Sequence, residues 1–272
     1  LVGSEMCIRD RKSTYADGLS AAADENGRVH TSFRQALTAT GRLSSIEPNL
    51  QNIPVKTELG RELRKFFVAK DETYTLIDAD YSQIELRILA AISGDEAMIA
   101  AFRDGYDIHT ATAMRVFGVS EKDVTIELRK KAKAVNFGIL YGMGDFSLAS
   151  DLHITRADAR AYIDSYLGAY PKVRQYLEDV VHDAKRDGYV TTYFGRRRYI
   201  PELSSGKKME VSFGERVAMN SPIQGTAADI IKLAMVNTAK KLTSGGYDAR
   251  LILQVHDLSL IHISEPTRHS LI

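Results

Sequence analysis

Two strand-like segments, each closed by an aspartate, bracket a long run of helix-like sequence, and no other feature constrains the fold as tightly. Tyr74-Thr-Leu-Ile-Asp-Ala-Asp80 has the β-branched and aromatic content of a strand. Arg250 to Val255 alternates like a second strand, which Asp257 closes. A strand, a long helical insertion and then a strand again predict an α+β domain interrupted by a helical subdomain, not an alternating βαβ sheet. The 272 residues allow about two domains, or one large one.

The insertion is punctuated by helix signals. Ser82-Gln-Ile-Glu85 has the capping-box pattern and predicts a helix to Ser93, stopped by Gly94. Further helices are expected from Asp95 to Phe102, over Val124 to Tyr141, from Thr155-Arg-Ala-Asp158, and from Pro171 to Gly188. Tyr189 to Tyr193 and Arg198 to Ile200 predict a hairpin turning at Gly195. A helix around Val211 to Asn220 and a separate one from Pro222 to Leu242 complete the pattern. Residues 12–60 are polar and irregular, and Arg34, Arg42 and Gln51 are expected there either as surface loop residues or along a phosphate backbone.

Leu1 to Arg11 and Leu258 to Ile272 show no period of either kind. Both resemble translated adapter or vector sequence, the alternative being native tails, and neither is expected to contribute to the fold. With the leader set aside, Cys7 is foreign and no cysteine remains. A net charge of +1 advertises no nucleic-acid or membrane partner, so such a partner must be read from local clusters. No apolar run approaches the roughly 18–20 residues that span a bilayer, and no secretory signal opens the chain. These features predict a cytoplasmic protein.

Aspartate is poorly suited to strand interiors but well placed at strand ends, where it serves either in a turn or as a cation ligand. Paired there, Asp80 and Asp257 suit two divalent ions about 3.5–4 Å apart, the arrangement of phosphoryl transfer. Arg129, Lys133, Phe137 and Tyr141 recur every four residues. At about 100° per residue each step drifts about 40°, so they form one slanting stripe. Two cations followed by two rings read either as a solvated basic turn leading into the core, or as a face that meets phosphates and then a sugar and base. Gly138 in this helix predicts close packing against it. Arg196 to Arg198 read as a solvated basic turn.

Asp80-Tyr-Ser-Gln-Ile-Glu-Leu-Arg87, the Arg129 to Gly142 helix and Gln254-Val-His-Asp257 resemble the three polymerase motifs of family A DNA polymerases. Thr40-Gly-Arg-Leu-Ser-Ser45 and Pro48-Asn-Leu-Gln-Asn-Ile-Pro54 resemble that family's approach to the first motif, and the match, over residues 12–257, is to the bacterial DNA polymerase I type. The resemblance implies a right-hand fold with a discontinuous antiparallel palm at 12–85 and 216–257 and mostly helical fingers at 86–215, without thumb or exonuclease domains. It implies a monomer, nucleoid-associated, that binds primer–template DNA and dNTP and uses two Mg²⁺ ions in DNA replication and repair. Asp80, Asp257 and the Tyr81 carbonyl would hold the metals. Lys133 would contact the triphosphate and protonate the leaving group, with Arg129 and His109 clamping the phosphates. Phe137 would stack on the incoming sugar and base, Tyr141 would close the templating end, and Gln83 would join the nucleotide site. Glu85 is implied as a gate against a ribose 2′-hydroxyl, alongside its reading as a capping residue. Arg42, Arg216, Asn220, Gln224 and His256 would line the duplex.

The resemblance fails at one place. The family follows the last motif's aspartate with glutamate, where this chain has Leu258, and the next palm strand is expected to be lost. The chain as it stands is therefore expected to be a poor polymerase. A DNA-binding remnant without catalysis is the second reading, and a two-metal nuclease the third. The stripe argues against the nuclease, because hydrolysis needs no incoming nucleotide to be read.

Overall fold

The structure is a computed structural model that describes residues 17–53, 58–255 and 258–264. The expected leader, His256 and Asp257, and residues 265–272 of the expected tail lie outside the described residues. In chain order the elements begin with a short helix α1 (Gly18–Ala22), strands β1 (Ser32–Arg34) and β2 (Ser44–Ile46), helix α2 (Glu58–Arg64) and strand β3 (Tyr74–Asp80). Helices α3 (Ile84–Ser93), α4 (Glu96–Arg103), α5 (Ile108–Phe117), α6 (Ile126–Leu140), α7 (Asp145–Leu152), α8 (Arg156–Ala169) and α9 (Pro171–Asp187) follow. Strands β4 (Tyr189–Thr191) and β5 (Arg197–Tyr199) form a hairpin, and helix α10 (Lys208–Ser244) leads into β6 (Ala249–Val255) and β7 (Leu258–Ser264). The protein is α+β, mostly helical, with antiparallel sheets. Among the described residues no helix is long and apolar enough to cross a membrane.

The described residues divide into two compact units, one up to Tyr81 and from Ala228 onward, the other Ser82–Ala227. The expected boundaries at 85/86 and 215/216 stand beside unit boundaries at 81/82 and 227/228. In the discontinuous unit, β7 is the middle strand of a three-stranded sheet in the order β3-β7-β6. Ile261 pairs with Ile77 on one side and with Leu251 on the other. This corrects the expectation that nothing after residue 257 contributes to the fold and that a strand is lost. Leu-Ser-Leu-Ile-His-Ile-Ser is short but rich in β-branched and aliphatic residues, and two flanking strands supply the hydrogen bonds that its weak local signal does not advertise. The Gln51 amide donates to the Gln254 carbonyl at 2.9 Å, and its Oε1 accepts from the Ser45 N–H at 3.0 Å. Gln51 thus spends its side chain on the protein backbone, not on a phosphate track.

The inserted unit follows its caps. Asp95, Asp107, Thr125 and Thr155 each accept a backbone N–H three residues on, opening α4, α5, α6 and α8. Buried Asp95 also accepts the Lys172 N–H at 3.2 Å, so one carboxylate satisfies the N-termini of α4 and α9. Leu86, Leu89, Met98, Ile108, Val135 and Leu140 form fully buried core.

Three local expectations are corrected here. Ser82 does not cap α3: Gln83 is the N-cap, at φ 56°, without a side-chain cap bond. The Glu85 carboxylate turns to Tyr141 instead. Pro222 does not begin a new helix, because α10 runs through it. Proline cannot donate to the Ala218 carbonyl, but the Ser221 hydroxyl donates to the Val217 carbonyl and the Thr226 hydroxyl to the Pro222 carbonyl, both at 2.6 Å. Burial of Ala218, Ile223 and Ala227 holds the helix together across the break. Gly138 is not a close approach either: a Cβ there would lie 3.5 Å from Met143 Sδ and 3.7 Å from Leu148, ordinary contact.

Candidate active site

The inserted unit gathers most of the expected residues around α6. Lys133 and Arg129 are exposed, Phe137 is half-buried, and the Phe137 and Tyr141 rings stack with centroids 6.2 Å apart at 21°. The Tyr141 hydroxyl donates to Glu85 Oε2 at 2.9 Å, joining α6 to α3 through a carboxylate only 4% exposed. Holding a buried carboxylate by hydrogen bonds offsets its desolvation.

Arg129 does not project alone. Its Nε and Nη2 donate to Asp107 Oδ2 and Oδ1 at 2.7 and 3.0 Å, a bidentate pair that fixes the plane of the guanidinium. Asp107 also accepts the Thr110 N–H at 3.0 Å and the Thr110 hydroxyl at 2.6 Å. Burial pushes the Asp107 carboxyl up, but Arg129 and Thr110 outweigh it and hold the group far below the usual carboxylate range.

His109 is 3% exposed. Burial pushes its imidazole down to about 4, against the Asp107 charge, and Arg129 and Lys133 push it further in the same direction. The Asn136 amide donates to His109 Nδ1 at 3.1 Å, and Asn136 Oδ1 accepts from the Thr112 hydroxyl at 3.1 Å. An amide nitrogen only donates, so Nδ1 is the acceptor and the neutral ring carries its proton on Nε2. At neutral pH His109 therefore offers an N–H and not a positive charge. Its ring lies 5.9 Å from that of Phe137.

Asp107, Asn136 and Thr112 were missed by sequence reasoning. Asp107 was legible as a cap ahead of Ile108, and Asn136 as a polar residue on the buried side of a helix. Their roles as partners of Arg129 and His109 depend on α5 packing against α6.

Arg216, Asn220 and Gln224 are half-buried and share a face of α10. Arg216 lies beside the end of α6, where a Cβ on Gly142 (φ +64°) would fall 3.0 Å from Arg216 Cγ and 2.6 Å from Met219 Cε. In the discontinuous unit, half-buried Arg42 lines a small cavity with Gln51 and Gln254. Asp80 and Tyr81 are exposed at the end of β3 and border a cavity of about 170 Å³ with Ser259. The Asp80 carboxylate and the Tyr81 carbonyl are hard oxygen donors of the kind Mg²⁺ takes. Among the described residues no group of three His, Cys, Asp or Glu is placed to hold a metal, and Asp257 and His256 lie outside those residues. Gln83, between Tyr81 and Glu85, holds a left-handed backbone that non-glycine residues seldom adopt.

Along α6 and its C-cap the chain thus presents a paired arginine, an exposed lysine and two stacked rings, next to a neutral histidine and a buried carboxylate. The chain belongs to DNA polymerase family A, whose model matches residues 6–270. It is 54% identical over 247 residues to DNA polymerase I of Geobacillus stearothermophilus and 55% identical over 247 residues to that of Bacillus subtilis. Each match covers 90% of this chain and 28% of the relative. The fold is similar to that of the POL domain of Pol1 from M. smegmatis in complex with DNA primer-template and dNTP, with a TM-score of 0.88 and 47% identity over 94% of this chain and 46% of that one. The chain thus spans less than a third of these curated relatives.

Proposed function

We propose that this chain is the palm and fingers segment of a template-directed DNA polymerase that transfers nucleotides from dNTP to a primer 3′-hydroxyl. The observation that carries the proposal is the Arg129–Lys133–Phe137–Tyr141 stripe, with its first cation oriented by Asp107 and its last ring tied to Glu85. Strands β3, β6 and β7 belong to the palm, and the helices between them are chiefly fingers. Primer–template DNA and dNTP are the partners, as in the complex of the M. smegmatis domain.

Asp80 and Asp257, with the Tyr81 carbonyl, would hold divalent metal, for which Mg²⁺ suits the oxygen donors. Bound there, divalent metal would supply charge stabilisation and lower the pKa of the attacking hydroxyl. Lys133 contacts the triphosphate and hands a proton to the leaving pyrophosphate. Arg129, held in plane by Asp107, presents its remaining N–H groups to phosphate oxygens, and His109 donates from Nε2. Phe137 stacks on the incoming sugar and base, and Tyr141 caps the templating end. Glu85 crowds the space a ribose 2′-hydroxyl would take, and Gln83 shapes the turn that leads to it. Arg42, Arg216, Asn220, Gln224 and His256 face the duplex.

Primer extension with one labelled nucleotide tests the proposal. Made in a chain restored to full polymerase length, Asp80→Ala and Asp257→Ala should each abolish extension and spare duplex binding. Near-normal turnover in either variant rejects the metal assignment. Binding without extension by the unmodified chain favours the DNA-binding remnant, and cleavage without extension favours the nuclease.

A further inference from the structure

The β4–β5 hairpin carries a concentration of exposed aromatic surface that the proposed reaction does not use. Tyr193 is 78% exposed and Phe194 51% at the turn, and Tyr199 68% at the far end of β5, on a hairpin that also carries the exposed cations Arg196 and Arg197. Clustered exposed rings mark a surface that meets something. The turn is also rigidly built. The Gly195 N–H donates to the Thr192 carbonyl and the Thr192 N–H to the Arg196 carbonyl, both at 2.9 Å, and Gly195 takes the positive φ of +84° that closes it. Thr226 of α10 accepts the Tyr193 N–H at 3.0 Å, and Arg198 donates to Ser221 of the same helix at 3.0 Å. The rings are ordered among themselves. Tyr193 and Phe194 meet edge to face at 5.4 Å, and the Arg197 guanidinium lies 4.9 Å from the centre of the Tyr189 ring.

We infer that this hairpin is a contact surface for single-stranded nucleic acid, with Tyr193 and Phe194 as stacking platforms for bases and Arg196 and Arg197 as phosphate contacts. Aromatic faces interleaved with arginines, held on a pre-organised turn, suit a flexible polyanion whose bases are unpaired. A duplex hides its base faces and would leave the rings without partners. The acidic side chains near the hairpin do not oppose this. Asp183 and Asp187 are paired with Arg186 at 3.0 and 2.7 Å, and Asp179 accepts from the Gln175 amide at 2.8 Å. The inference rests on the polymerase proposal only in choosing nucleic acid as the occupant; the strand it would hold is unpaired template.

The test uses the 272-residue chain, a fluorescein-labelled oligothymidylate and a blunt duplex of equal length, followed by anisotropy. Tyr193→Ala/Phe194→Ala should weaken oligothymidylate binding about tenfold and leave duplex binding within about twofold. Arg196→Gln/Arg197→Gln should lower the slope of log K against log salt by about 0.7 for each phosphate that an arginine no longer neutralises. Ile126→Ser, which removes an exposed apolar side chain away from the hairpin, should change neither, and circular dichroism should show all variants folded. Unchanged oligothymidylate binding, or equal loss on both probes, overturns the inference. So does a change confined to sedimentation, which would make the hairpin a contact between copies. No primer or nucleotide enters this assay. Failure to extend primers by the segment restored to full polymerase length, with hairpin binding intact, therefore rejects the polymerase proposal alone, and oligothymidylate binding unaltered in the variants rejects the hairpin alone.

Discussion

Charge placement in this protein is decided side chain by side chain. His109 sits beside two cations and an aspartate, yet burial dominates and keeps it neutral, with its pKa lowered from 6.5 to about 4. Below pH 6.5 the unfolded chain takes up a proton that the folded chain refuses, so stability falls as pH drops towards 4 and levels off beneath it. The loss between pH 7 and pH 5 should be about 2 kcal/mol. Urea unfolding at both values checks this, and His109→Gln should remove the difference. The Asp107 carboxyl has the same sense in a lower window: its pKa is also depressed, so its stabilisation is fully present above 3.8 and is lost as pH falls below that value. Glu85 carries a second residue-scale outcome. Glu85→Ala should raise the ratio of kcat/KM for ribonucleotide over deoxyribonucleotide by about tenfold or more, read in single-nucleotide extension. An unchanged ratio would reject the gate and leave Glu85 a structural role.

Among the elements, α6 shows how two glycines in one segment differ. Gly138 has helical backbone with room for a methyl group, so Gly138→Ala should leave the protein as stable or raise stability by up to about 1 kcal/mol. Gly142 has φ +64° and lies against Met219 and Arg216, so Gly142→Ala should cost about 1–3 kcal/mol and disturb the seat of Arg216. Thermal melts of the pair separate the two cases. In α10, the Thr226 hydroxyl donates to the Pro222 carbonyl and accepts the Tyr193 N–H, joining helix and hairpin. Thr226→Ala should cost about 1–3 kcal/mol and speed amide exchange at Tyr193, because that N–H loses its acceptor.

For the whole molecule, the discontinuous unit depends on segments far apart in sequence. Its middle strand, β7, is the last described element, and it bridges β3 and β6. Ile261→Pro removes a donor from the ladder and should cost about 3 kcal/mol or more. Calorimetry should resolve two transitions, one for each compact unit, with only one of them lowered by this change. A single transition shifted as a whole would show that the units unfold together.

Local chemistry made much of this legible from sequence alone. The helices near Asp95 and Val124, the helix opening at Thr155, the start of α9 at Pro171, the hairpin around Gly195 and the four-residue spacing of the stripe all follow from short-range rules of backbone and spacing. The motifs carried the family with them. What remained hidden depends on partners distant in the chain. Glu85 reads locally as a capping residue, and only the return of α6 brings the Tyr141 hydroxyl to it. Pro222 reads as a helix start, and only burial along α10 and two hydroxyl bonds carry the helix through it. Leu258 to Ser264 reads as patternless, and only two flanking strands make it the centre of a sheet. Tertiary structure decided these cases because each local preference is worth about 1–3 kcal/mol, which burial and cross-chain hydrogen bonds can outweigh.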